Sequence, residues 1–138
     1  MIVDASALVA IMTHEPGWEA LADALALADA PAISAATYVE TAVVIDARRD
    51  PALSRAFDRF LAENRLAVEA VTASQALIAR EAYRDFGRGS GHAARLNFGD
   101  CFSYALARDK NMPLLFKGDD FRHTDIDSAT ASKQDVSG

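Results

Sequence analysis

An α/β domain, with a central and mainly parallel sheet flanked by helices, is the fold class that the sequence predicts, and three observations point to it. Short apolar runs that stop at polar residues alternate along the chain with longer stretches whose apolar residues recur at helical spacing. Hydrophobic residues make up 51% of the 138 positions and charged residues 25%, the balance of one domain that buries its own core. The single cysteine, Cys101, closes no intramolecular disulfide and builds no thiolate metal site alone. Packing must therefore hold the fold, and a bound metal would take oxygen ligands.

Taken in order, Ile2 and Val3 form a strand stopped by Asp4, and Ser6 offers an N-cap to a helix carrying Ala7, Leu8, Ile11 and Met12. Glu15 and Pro16 mark a second helix start, with Trp18, Leu21, Ala22, Leu25 and Ala28 as its apolar stripe, ending before Pro31. A brief strand follows at Ala32 to Ser34, then a helix over 36–48. Pro51 opens another helix with Leu53, Ala56, Phe57, Phe60 and Leu61 facing inward, which ends at Asn64 or Arg65. Leu66 to Val71 reads as a strand.

Thr72 and Gln75 have the spacing of a capping box, and Leu77, Ile78, Ala82, Tyr83 and Phe86 continue one helical face. Gly87, Gly89 and Gly91 among Arg88, Ser90, His92 and Arg95 predict a mobile basic loop outside the core. Asn97 caps a helix through Phe98, Cys101, Phe102, Ala105 and Leu106 to about Lys110, and Pro113 to Phe116 forms a buried strand ending at Lys117, Gly118, Asp119 and Asp120. The folded domain spans 1–126. The polar residues 127–138 are expected to form a disordered tail.

The net charge of −6 argues against nonspecific coating of nucleic acid, yet it is unevenly spread. Residues 1–47 carry −7 with no Lys or Arg, whereas 48–138 carry 14 basic and 13 acidic residues. With no uncharged run near the roughly 20 residues of a membrane helix, and no basic start of a secretory signal, a cytoplasmic protein is expected.

Acidic residues at four places along the chain, two of them adjacent, resist a surface explanation. Asp4 ends the first strand and Asp119 with Asp120 follow the last, so neighbouring parallel strands would bring them to one sheet edge, where α/β ligands collect. Glu40 has Ala36, Thr37, Val43 and Val44 as helical neighbours, an apolar setting where a charge needs a partner. Asp100 stands third after the Asn97 cap, where the positive end of a helix stabilises a carboxylate. Two carboxylates about 4 Å apart repel by about 4 kcal/mol at an effective dielectric near 20, so the group must protonate or bind a cation. Hard oxygen ligands favour Mg²⁺ or Mn²⁺, ions that share phosphate substrates and assist phosphodiester hydrolysis. Ser6 is a candidate to support a metal-bound water or the substrate phosphate. His14, His92 and His123 show no paired metal spacing, and Cys101, Trp18, Phe57 and Phe60 read as core.

At these acids the sequence resembles the PIN-domain ribonucleases, in particular VapC-type toxins of bacterial toxin–antitoxin pairs. The resemblance rests on MIVDASALVAI, AATYVETAVVI around Glu40, LNFGDCFSYALA around Asp100 and PLLFKGDDF around Asp119 and Asp120, and covers about residues 1–126. It implies a PIN-like sheet between helices and a Mg²⁺-dependent endoribonuclease, with Mn²⁺ as an alternative ion. Its acidic site would comprise Asp4, Glu40, Asp100 and Asp119, with Asp4 and Asp100 closest to the metal and Asp120 holding the turn. Ser6 matches the polar position after the first Asp, while Ala5 replaces a hydroxyl residue frequent there. The resemblance further implies an RNA substrate, a homodimer, and a VapB-type antitoxin lying across the groove. Arg80, Arg84, Arg88, Arg95 and Lys117 are candidates for RNA contact, which would make binding salt-dependent.

A phosphoacceptor receiver domain would also place Lys117 after a buried strand, but Leu66 to Val71 does not end in the Asp it requires. A haloacid-dehalogenase-like phosphatase needs an Asp where Ser6 stands. The alternative that survives is a non-catalytic PIN-like module binding RNA or protein.

Overall fold

A computed structural model describes residues 1–130. Strand β1 (Ile2–Val3) is buried and pairs in parallel with β2 (Ala32–Ser34) and β4 (Leu114–Leu115), while β2 pairs in parallel with β3 (Ala67–Glu69). The order β3-β2-β1-β4 puts β1 in the interior. Helices α1 (Ala5–Thr13), α2 (Trp18–Ala26), α3 (Ala35–Asp46), α4 (Pro51–Glu63), α5 (Ala73–Phe86) and α6 (Phe98–Lys110) connect the strands. The α/β class with a parallel sheet is thus the observed one.

Alternation along the strands divides the core. Ile2, Ala32 and Leu114 face Ala79, Ala82, Cys101, Ala105 and Leu106 of α5 and α6. Val3, Ile33 and Leu115 face Leu8, Ile11, Leu21, Leu25, Ile45 and Phe57 of α1 to α4. A side chain at the next position of β1, Asp4, therefore shares the face of Ile2 and lies against α6.

Several boundaries depart from the expected ones for local reasons. Asp4, not Ser6, caps α1: its Oδ2 accepts from Ser6 N at 3.0 Å. Pro16 does not open α2, which begins at Trp18 after Gly17 in the left-handed region, φ 87°. At α5 only half of the capping box forms, since Thr72 Oγ1 accepts from Gln75 N while the buried Gln75 donates instead to Asp109 Oδ2 at 3.1 Å. The buried side of α5 is carried by Ala79 and Ala82, and Leu77 and Tyr83 stay exposed, because small residues let α5 and α6 approach closely.

The glycine-containing segment is not all outside the core. Arg88 N donates to Leu96 O and Leu96 N to Phe86 O, closing the segment at its base, and Ala94 and Leu96 are fully buried. Pro51 opens α4 and Asn97 caps α6 at the expected positions, and Asp50 supplies the cap of α4. The boundary at 126 also moves. Leu114 N donates to Asp127 O and Ala129 N to Leu114 O, each at 2.9 Å, so 127–130 continue the folded domain as a strap along β4. The rest of the expected tail, 131–138, lies outside the described residues.

Candidate functional site

The site lies at the carboxyl edge of the sheet, where β1 and β4 end side by side. Backbone pairing sets Asp4 there, its N donating to Leu115 O at 2.9 Å. The side chain is 2% exposed, and both its oxygens are engaged: Oδ2 by Ser6 N, and Oδ1 by Ser103 Oγ at 2.5 Å. Ser6 Oγ turns the other way and accepts from Lys117 N at 3.0 Å, tying the start of α1 to the segment that carries Asp119 and Asp120.

Asp100 is delivered by its helix. Asn97 Oδ1 accepts from Asp100 N at 2.8 Å and Asp100 Oδ2 accepts from Asn97 N at 3.0 Å, a complete capping box that fixes the carboxylate at the positive end of α6. Burial pushes this carboxyl up to about 7 despite the Asn97 bond, and the charges of Asp4, Asp120 and Glu40 add to the rise. Glu40 comes from α3 and is half-buried. Its carboxyl is raised by burial first and by Asp4 second. The setting differs from the expected apolar face, since Val43 and Val44 are 61% and 42% exposed. Glu40 instead lies over Gly99 at the start of α6, where a Cβ would stand 2.6 Å from its Cδ.

The two acids after β4 part company. Asp119 faces Arg122, Oδ1 to Nε 3.7 Å, with its side chain 82% exposed. Asp120 is the one whose charge is felt at Asp100. Asp4, Glu40 and Asp120 thus all act on Asp100, and Asp4 also acts on Glu40, whereas Asp119 is near Arg122.

Sequence reasoning missed Thr37 and Ser103. Both are buried, and their hydroxyls lie 3.1 Å apart behind Asp4. Their only signal was spacing: Thr37 is one helical turn before Glu40, and Ser103 one turn after Asp100. Ser34, at the end of β2, has a buried hydroxyl with no hydrogen-bond partner among the described residues. Carrying the Ile2–Ala32 register two residues on sets it beside Asp4. Cys101 is core, as expected, its thiol pushed up to about 11 by burial and then by Asp100.

Among the described residues no three His, Cys, Asp or Glu side chains close into a ready metal cage. An open set of hard oxygens suits an ion that keeps much of its water and takes one or two carboxylates, as Mg²⁺ does. Soft or nitrogen-preferring metals find no thiolate or imidazole in the group.

The raised carboxyls have a consequence for stability. A carboxyl titrating near 3.8 unfolded and about 7 folded gives stability that is complete below pH 3.8 and lost as pH rises through 7. The metal-free protein is expected to melt at progressively lower temperature from pH 4 to pH 8, with Asp100 contributing at most roughly 4 kcal/mol. Thermal melts in EDTA check this; an equally steep fall in Asp100→Asn would acquit Asp100.

The family model described as PIN domain matches residues 1–127. Ribonuclease VapC28 of Mycobacterium tuberculosis is 57% identical over 129 residues, which are 94% of this chain and 97% of that protein. Among solved structures, VapC20 of Mycobacterium tuberculosis, a sarcin–ricin loop cleaving toxin, superposes with a TM-score of 0.69 at 20% identity, covering 91% of this chain and 95% of that one. VapBC2 from Rickettsia felis, bound to a DNA fragment from its promoter, gives 0.70 at 18% identity, covering 92% and 95%. At those identities the two structures speak for the fold alone. No helix of the described residues is long and apolar enough to cross a membrane.

Proposed function

Because the chain belongs to the PIN-domain family, we propose that it is a metal-dependent endoribonuclease that hydrolyses RNA phosphodiester bonds as the toxin of a toxin–antitoxin pair. The observation that carries this reading is the gathering of acids at the edge of a parallel sheet, where Asp4 adds to the burial that raises Glu40, and Asp4, Asp120 and Glu40 add to the burial that raises Asp100. The names of the ribonuclease VapC28 and of the toxin VapC20 support the substrate class.

Asp4 and Asp100 are assigned as the acids that hold a divalent cation, Mg²⁺ or Mn²⁺. Each has an oxygen fixed by a backbone N–H and so keeps one orientation. Glu40 and Asp120 complete the negative field, with Asp120 taking the place expected of Asp119, because its charge reaches Asp100 while Asp119 faces Arg122. A bound divalent ion supplies Lewis-acid charge and lowers the pKa of an attacking water. Ser6 keeps its hydroxyl proton free of Lys117 N and stands next to Asp4, suited to donate to a phosphate oxygen or a water.

RNA approaches past basic side chains. Arg80, Arg88 and Arg95 are exposed, whereas Lys117 Nζ is held by Glu15 at 3.0 Å and Arg84 by Asp85 at 3.0 Å, which makes the first three the stronger candidates for phosphate contact. A VapB-type antitoxin as restraining partner, a homodimer and a cytoplasmic site of action belong to the same reading. The VapBC2 complex from Rickettsia felis supports the partner.

The test is metal removal. Purified protein free of any antitoxin is incubated with total cellular RNA in Mg²⁺, in Mn²⁺ and in excess EDTA, and fragment ends are mapped. Discrete cuts in either metal and none in EDTA are expected. No cutting by folded protein would favour a non-catalytic binding module.

A further inference from the structure

Behind the acids, a line of buried hydroxyls ends on Asp4. Ser103 Oγ donates to Asp4 Oδ1 at 2.5 Å and lies 3.1 Å from Thr37 Oγ1, and the two residues are 0% and 1% exposed. A serine has one hydroxyl proton. With that proton on Asp4, the Ser103 oxygen accepts from Thr37, so the donation runs from Thr37 to Ser103 to Asp4. Nothing about packing requires this polarity, since α6 is lined at neighbouring buried positions by Ala105 and Ala107.

The line joins three of the elements that carry the site. Asp4 ends β1, Ser103 lies one turn along α6 from Asp100, and Thr37 lies one turn along α3 before Glu40. An ionised carboxylate offers about four lone-pair positions. Ser6 N and Ser103 Oγ occupy one on each oxygen of Asp4, and the remaining ones are held in a fixed direction.

We propose that Ser103, oriented by Thr37, is a positioning residue that sets the Asp4 carboxylate for divalent-cation binding. This rests on the reading that Asp4 is a metal ligand. Partners that orient a ligating side chain typically govern metal affinity by about ten- to hundredfold.

The experiment titrates Mn²⁺ into the metal-free protein and follows free Mn²⁺ by electron paramagnetic resonance, with RNA cleavage and melting temperature measured alongside. Ser103→Ala is expected to weaken Mn²⁺ binding by about tenfold or more and to lower kcat at subsaturating metal with KM for RNA unmoved. Thr37→Val shifts affinity in the same direction, and Thr37→Ser, which keeps the hydroxyl, restores it. The double variant Ser103→Ala/Thr37→Val binds no worse than Ser103→Ala alone, because Thr37 acts through Ser103. A merely structural pair would lower the melting temperature and leave Mn²⁺ affinity unchanged.

Unchanged affinity in Ser103→Ala, or additive losses in the double variant, overturns the proposal, provided Asp4→Asn abolishes binding. Should Asp4→Asn bind Mn²⁺ like the unaltered protein, the metal-site reading itself fails and takes the proposal with it. If Ser103→Ala does not fold, the contrast between Thr37→Val and Thr37→Ser decides: equal affinities overturn the proposal.

Discussion

Asp100→Asn is expected to reduce RNA cleavage by more than about a hundredfold while leaving the fold intact. Residues that only orient a metal ligand cost about ten- to hundredfold when removed, so loss of a ligand should exceed that range. The substitution is clean because of how Asp100 is held. Its Oδ2 accepts from Asn97 N at 3.0 Å, and an asparagine carbonyl oxygen accepts the same bond, so the start of α6 keeps both halves of its capping box. Only the charge is lost. In the absence of metal that charge is unfavourable near neutral pH, since burial and three neighbouring carboxylates raise the group to about 7. The variant should therefore melt at the same or a higher temperature in EDTA at pH 8. The measurement is cleavage of one RNA by both proteins at equal concentration in saturating Mn²⁺; undiminished cutting removes Asp100 from the reaction.

Gly99→Ala is expected to move stability and activity in opposite directions. Gly99 has an ordinary helical backbone, so its lack of a side chain answers to a neighbour and not to a turn. That neighbour is Glu40: a Cβ would meet its Oε2, and would stand 2.6 Å from Cδ and 2.9 Å from Oε1. The atoms met belong to the end of a flexible side chain, which swings aside without disturbing the backbone. Alanine is a better helix former than glycine, and displacing a half-buried carboxyl relieves its repulsion with Asp4. The melting temperature should hold or rise. Activity should fall by up to about a hundredfold, the effect of misplacing a catalytic group by roughly 1 Å. Paired melting and cleavage assays check it. Wild-type cleavage by Gly99→Ala would show that the position of Glu40 is immaterial.

Legibility from sequence followed the range of the interactions involved. Local grammar was readable: Asn97 with Asp100, Pro51, and Thr72 with Gln75 N all act within one turn, and they mark the starts of α6, α4 and α5. So was the alternation that makes a parallel sheet and brings Asp4 near the end of β4. What escaped was set by contacts distant in sequence. Ser6 had the appearance of a cap, but its oxygen is claimed by Lys117 N, 111 residues away. Ser103 sits in a helix that reads as plain core, and its role shows only when α6 is laid against β1, 99 residues distant from it at Asp4. Asp119 and Asp120 are adjacent, and the sequence leaves open which of them joins the other acids; in the fold Asp119 lies 3.7 Å from Arg122 and the charge of Asp120 adds to the rise at Asp100. The segment over 87–96 is rich in glycine and was expected to be loose, yet Ala94 and Leu96 plug the face of the sheet beneath α5 and α6.

The strap 127–130 along β4 bears on how the sheet is kept from pairing with stray strands in a crowded solution. A sheet has two margins, and each presents unpaired N–H and C=O groups to which a stranger's strand can add. At β3 the margin is only three residues long and ends in Glu69. At β4 the two groups of Leu114 that would be open are already taken by Asp127 O and Ala129 N. A shortened chain stopped at 126 would keep every acid of the site and bare that margin. Its failing would be self-association, arising at the side of the sheet from which Asp120 is hung.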